Sequence, residues 1–64
     1  MNGVIKTLKD KGFGFIGSEG RPDIFFHMNN LNGVSFNDLR EGDAVTFDIE
    51  ETQKGPSAIN VARA

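Results

Sequence analysis

Apolar and polar residues alternate most cleanly near the C-terminal end of the chain, where Val45, Phe47 and Ile49 interleave with Thr46, Asp48 and Glu50. A period of two belongs to an extended strand with one dry face and one wet face. Clusters rich in Gly, Pro, Asn and Asp at 9–12, 17–22, 29–33, 41–43 and 53–56 mark turns. They leave strand-length pieces at 2–8, 12–17, 23–28, 44–51 and 57–62. In the first of these Val4 or Ile5 faces inward beside an outward Lys6. In the last, Ile59 and Val61 face inward and Asn60 outward. No piece has the length and periodicity of a substantial helix.

Five short strands without helices to cover their apolar side must close on themselves. The expected fold is therefore all-β, a small five-stranded antiparallel barrel of the oligonucleotide-binding type formed by residues 1–64 as one domain. Sixty-four residues lie near the lower size at which a chain without disulfides or metal buries enough surface to fold alone. The stretch 29–43 is long for a loop in such a domain. It is either functional or carries a short turn of its own, with Phe36 at its middle.

Parity in the second strand sets Lys11, Phe13 and Phe15 on one side and Gly12, Gly14 and Ile16 on the other. Glycines fill a core poorly, but they let a bent barrel strand pass close to its neighbours. Phe13 and Phe15 then point outward. In the third strand Ile24 and Phe26 face inward, leaving Phe25 and His27 outside. Burying Phe13, Phe15 and Phe25 as ordinary core residues is the competing arrangement, and it would turn Gly12, Gly14, Ile24 and Phe26 outward and give a worse core.

Composition sharpens this picture. All six aromatic residues are Phe, and four of them, Phe13, Phe15, Phe25 and Phe26, fall within fourteen residues. Clustered exposed rings mark an interaction site. Every nucleobase offers a flat face to such rings, and each stacked base contributes about 1–3 kcal/mol. Three or four platforms supply about 3–10 kcal/mol before ordering costs, enough for micromolar binding. A duplex hides its base faces, so the expected ligand is single-stranded.

The net charge of −2 and the pI of about 5.1 count against a protein that relies mainly on neutralising phosphates. With few lysines beside the rings, a shallow salt dependence is expected. The chain has no cysteine, so no disulfide framework or thiolate metal site is expected, and a reducing cytosol fits. No apolar run approaches the roughly 18 residues of a membrane span, and no signal-peptide pattern opens the chain. A soluble, cytoplasmic protein without a membrane partner is expected. His27 has neither a nucleophile nor a paired carboxylate arranged with it, so neither an enzyme nor a metal or cofactor site is expected. The competing reading is that the aromatic face docks another protein or a second copy of the chain.

Taken together, Lys11-Gly-Phe-Gly-Phe-Ile16 and Asp23-Ile-Phe-Phe-His27 resemble the two ribonucleoprotein motifs of the cold-shock domain family, in order and at the family's spacing. Gly3, Lys6, Leu39-Arg-Glu-Gly42, Gly55-Pro56, Ala58 and Asn60-Val61 extend the resemblance over essentially the whole chain. It implies a monomeric oligonucleotide-binding barrel that takes short, pyrimidine-rich single strands of RNA or DNA and acts as an RNA chaperone or transcription antiterminator. It further implies that Phe13, Phe15, Phe25, His27 and Phe36 stack with bases, that Lys6 and Lys11 contact the backbone, and that Asp23 accepts hydrogen bonds from a base edge. For Phe36, plugging the barrel end is the alternative role. Two positions depart from the family pattern. Thr7-Leu8 stands where the family usually has Trp-Phe, and Met28 replaces an aromatic; its thioether either packs on a base or is buried. Weaker binding or a shorter footprint than that of a typical member is expected.

Overall fold

The alternating segments fold as five strands in a computed structural model that describes residues 1–64: β1 (Asn2–Lys9), β2 (Phe13–Gly17), β3 (Ile24–His27), β4 (Ala44–Thr52) and β5 (Gly55–Arg63). They close into a barrel in the order β1-β2-β3-β5-β4. The barrel is the expected one except at one seam. Four pairings are antiparallel, whereas β3 meets β5 in parallel through Phe25 and Ser57. The long connection after β3 carries the chain across the barrel, so that the β4–β5 hairpin returns its second strand alongside β3 in the same direction. Parallel neighbours require such a crossover.

The core consists of Ile5, Ile16, Ile24, Phe26, Leu39, Val45, Phe47, Ala58 and Val61. It settles the choice in β1, where Ile5 is buried and Val4 is exposed. In β5 the expected pair Ile59 and Val61 is corrected to Ala58 and Val61, with Ile59 only half-buried. The reason is a bulge. Thr46 pairs with Ala62 and Asp48 with Ile59, so two steps along β4 span three along β5. Asn60 absorbs the extra residue at φ 53°, in the left-handed region that Asn tolerates better than most residues.

A second bulge interrupts β1. Ile5 pairs with Ile16 and Thr7 with Phe15, which leaves Lys6 as the additional residue. Parity flips there, so Thr7 and Lys9 share the outer face while Leu8 packs toward the core. Several strand ends also differ from expectation. Lys11 and Gly12 lie in the β1–β2 turn rather than in β2, because the Gly12 N–H donates to the Lys9 carbonyl at 3.0 Å and closes the turn. Asp23 precedes β3 and Met28 follows it.

The long connection carries two short 3-10 turns, Met28–Asn30 and Phe36–Asp38, and buries Leu39 in the core. No helix is long and apolar enough to cross a membrane.

Candidate nucleic-acid interface

The outer aromatic face depends on a glycine of the inner one. Gly14 pairs with Phe26 across the β2–β3 ladder, and a Cβ at Gly14 would meet the Phe26 ring at 3.0 Å and fall on the carbonyl oxygen of Thr7. Without that carbon, the Phe26 ring packs closely against Gly14 and is fully buried. The residues on either side of Gly14 and Phe26 are thereby turned outward, as alternation requires.

Phe15 pairs with Phe25 and Phe13 with His27, so the four outward side chains form a two-by-two array. Ring centroids lie 5.7 Å apart for Phe13 and Phe25, 6.0 Å for Phe15 and Phe25, and 6.3 Å for Phe13 and Phe15. The interplanar angles of 31°, 71° and 87° include edge-to-face contacts that aromatic quadrupoles favour. Each ring shields its neighbours, which leaves Phe13 and Phe15 half-buried and Phe25 39% exposed. Mutual packing makes the array tolerable in water while keeping ring surface open to a flat ligand.

His27 is held in place by the turn that follows it. Its Nδ1 accepts from the Asn29 N–H at 3.2 Å, and its own N–H donates to Asn30 Oδ1 at 2.9 Å. With Nδ1 accepting, Nε2 of the neutral ring is the nitrogen left to donate. The next residue locks the array to the β1–β2 turn, since the Met28 N–H donates to the Gly12 carbonyl at 2.8 Å.

The other candidate residues border the array. Lys6 lies on the β1 bulge with its alkyl chain across Gly17, and it shares a cleft of about 270 Å³ with Arg21 and Asp23. Lys11 and Phe36 line a second cleft, of about 480 Å³, together with Met28. Phe36 is half-buried, its ring centroid 6.3 Å from that of Phe26, so it packs on the core while lining the cleft. Met28 is not buried but 50% exposed, its sulfur held against Gly12, whose φ of +93° suits glycine.

Three residues beside the array, Lys9, Lys54 and Pro56, were not among the expected site residues, whereas Thr7 was expected to stand where the family has an aromatic. Thr7 and Lys9 stand across from Phe15 and Phe13 on β1, and Lys54 and Pro56 share a cleft of about 350 Å³ with Phe25. A trace of the first pair was present in the sequence, because two inward apolar residues three apart, Ile5 and Leu8, imply an extra residue between them.

Charge is distributed unevenly around the barrel. Arg63 forms the molecule's one ion pair, with Asp43 at 3.5 Å, and also donates to the Asp38 carbonyl at 2.5 Å. Arg40 donates to the carbonyls of Asn37 and Leu39. The remaining cations, Lys6, Lys9, Lys11, Arg21 and Lys54, all lie beside the aromatic array or on the clefts around it. Asp38, Asp43, Asp48, Glu50 and Glu51 lie on β4 and the connection leading to it, whereas Asp10 lines the Lys11 cleft, Glu19 and Asp23 line the Lys6 cleft, and Glu41 reaches β1, where its Oε2 accepts from the Leu8 N–H at 3.2 Å. No group of three His, Cys, Asp or Glu side chains is arranged to hold a metal ion.

The sequence model of the family described as the 'Cold-shock' DNA-binding domain matches residues 1–64. The chain is 48% identical over 65 residues to cold shock protein ScoF of Streptomyces coelicolor, covering 98% of this chain and 97% of that protein. It is 45% identical over 64 residues to cold shock-like protein CspB of Bacillus cereus, covering 98% of each. Among solved structures, drosophila Unr CSD456 superposes with a TM-score of 0.79 at 26% identity over 98% of this chain, which spans 26% of that longer one.

Proposed function

The chain belongs to the cold-shock domain family, a nucleic-acid-binding family, and on that footing we propose that it binds short single strands of RNA or DNA by stacking their bases on Phe13, Phe15, Phe25 and His27. The observation that carries this reading is the two-by-two outward array. Three phenyl rings within about 6 Å of one another, on the wet face of a barrel whose core is already filled by Phe26 and Phe47, have no packing role that smaller residues would not meet.

Phe36 and the cleft it shares with Lys11 extend the surface beyond β2. Lys6 and Lys11 contact phosphates, and Asp23 accepts from a base edge. The preferred ligand is pyrimidine-rich. By holding bases apart from their pairing partners, the protein keeps weak RNA structure open, the physical basis of an RNA chaperone or a transcription antiterminator. It acts as a monomer in the cytoplasm and needs no cofactor.

Because the chain contains neither Trp nor Tyr, binding is best followed on a labelled oligonucleotide. Anisotropy titrations with oligo-U, oligo-dT, a purine oligomer and a duplex are expected to give saturation by tens of micromolar protein at low salt for the pyrimidine strands, with weaker binding of purines and much weaker binding of the duplex. Equal binding of duplex and single strand would contradict stacking as the mode of recognition.

A further inference from the structure

The two aromatic columns of the array, Phe13 with Phe15 on β2 and Phe25 with His27 on β3, are flanked on one side by β5 and on the other by β1. Bases stacked on the columns must send their sugar-phosphate backbone along a flank. The β1 flank has an uncommon make-up. Its outward positions are Lys6, Thr7 and Lys9, a hydroxyl between two ammonium groups, with no ring among them. Directly opposed residues on one face of an antiparallel pair have Cβ atoms about 4.5–5.5 Å apart. Lys9 is therefore an immediate neighbour of the Phe13 ring, and Thr7 of the Phe15 ring.

Nothing in the protein engages the Lys9 ammonium, since the one ion pair belongs to Arg63 and the side-chain hydrogen bonds to Arg40, Asn60 and others. The position is fixed all the same. The Lys9 backbone is held by the ladder to Phe13 and by its carbonyl, which accepts from Gly12. An unpaired cation on a rigid strand edge, next to a stacking ring, is placed to meet an anionic group of whatever stacks there.

We infer that Lys9 is a phosphate-binding residue and that the backbone of the bound strand passes along the β1 flank beside Lys6 and Lys9. The inference rests on the single-strand reading of the aromatic array and adds its orientation. The acidic total charge then conceals a cationic track, and salt dependence is steeper than the net charge of −2 suggests.

The test compares the wild-type protein with Lys9→Gln and Lys9→Arg, titrating a labelled oligo-dT at salt concentrations between about 50 and 200 mM. Lys9→Gln is expected to weaken binding about three- to fivefold at low salt and to reduce the slope of log affinity against log salt by about 0.7, the value for one phosphate contact on a single strand. Lys9→Arg is expected to restore both. On an oligonucleotide with uncharged methylphosphonate linkages, wild type and Lys9→Gln are expected to bind equally. An unchanged slope in Lys9→Gln, or a deficit that persists on the uncharged strand, would overturn the inference while leaving the stacking reading intact. Absence of any wild-type binding would overturn both.

Discussion

Thr7 stands directly across from Phe15 on the outer face of the β1–β2 ladder, because the bulge at Lys6 reverses the parity of β1. The platform therefore ends in a hydroxyl on the side where a third column of rings has room. Thr7→Trp is expected to add a stacking surface without disturbing the core. Affinity for oligo-dT should rise by about 1–3 kcal/mol, or about five- to 150-fold. Anisotropy titration measures it, and an unchanged affinity would show that the bound strand does not reach Phe15 from the β1 side.

Gly14→Ala tests how the inner face supports the outer one. The new methyl meets both the Thr7 carbonyl and the buried Phe26 ring, and neither can retreat without moving backbone or core. The expected loss is about 1–3 kcal/mol in urea unfolding. A variant as stable as wild type would mean that the β2–β3 contact is looser than the packing of Phe26 against Gly14 implies.

The left-handed Asn60 offers a smaller effect of known sign. Its Nδ2 donates to Asp48 Oδ2 at 3.2 Å on the exposed surface, so the side chain itself contributes little, and the backbone angle dominates. Asn60→Ala is expected to cost about 1 kcal/mol, and Asn60→Gly distinctly less, because glycine enters this region without a Cβ penalty. Urea unfolding of both variants checks the order, and the reverse order would contradict the bulge.

Much of the fold was legible because apolar spacing reports strand parity wherever a strand is regular. Val45 and Phe47 alternated into the core as expected, and Gly14 and Ile16 turned inward with Phe13 and Phe15 outward. Expectation and structure diverged where the chain inserts a residue. At Lys6 and Asn60 a strict period of two fails, and the only local traces are inward apolar residues three apart, Ile5 with Leu8 and Ala58 with Val61. The parallel seam between Phe25 and Ser57 has no local signal at all, since it follows from the path of the 28–43 connection.

The candidate site was legible to the same degree. Phe13, Phe15, Phe25 and His27 were brought together by the predicted pairing of two strands. Lys9 and Lys54 were not found, because a list of charges does not reveal which are engaged. The structure separates the two arginines that hold backbone carbonyls from the cations left around the rings.

If open ring surface, rather than net charge, holds the ligand, Phe25 carries the most direct test. It is the most exposed of the clustered rings and touches both Phe13 and Phe15, yet contributes nothing to the buried core. The measurement is the affinity of wild type and Phe25→Ala for the same labelled oligo-dT at low salt, with thermal unfolding of both proteins as the control. Wild type is expected to bind by tens of micromolar protein, the variant to lose about 1–3 kcal/mol of binding, and the unfolding midpoints to be closely similar. No wild-type binding, or a Phe25→Ala protein that binds as tightly as wild type, would contradict binding by open ring surface and leave the array as a docking surface for protein.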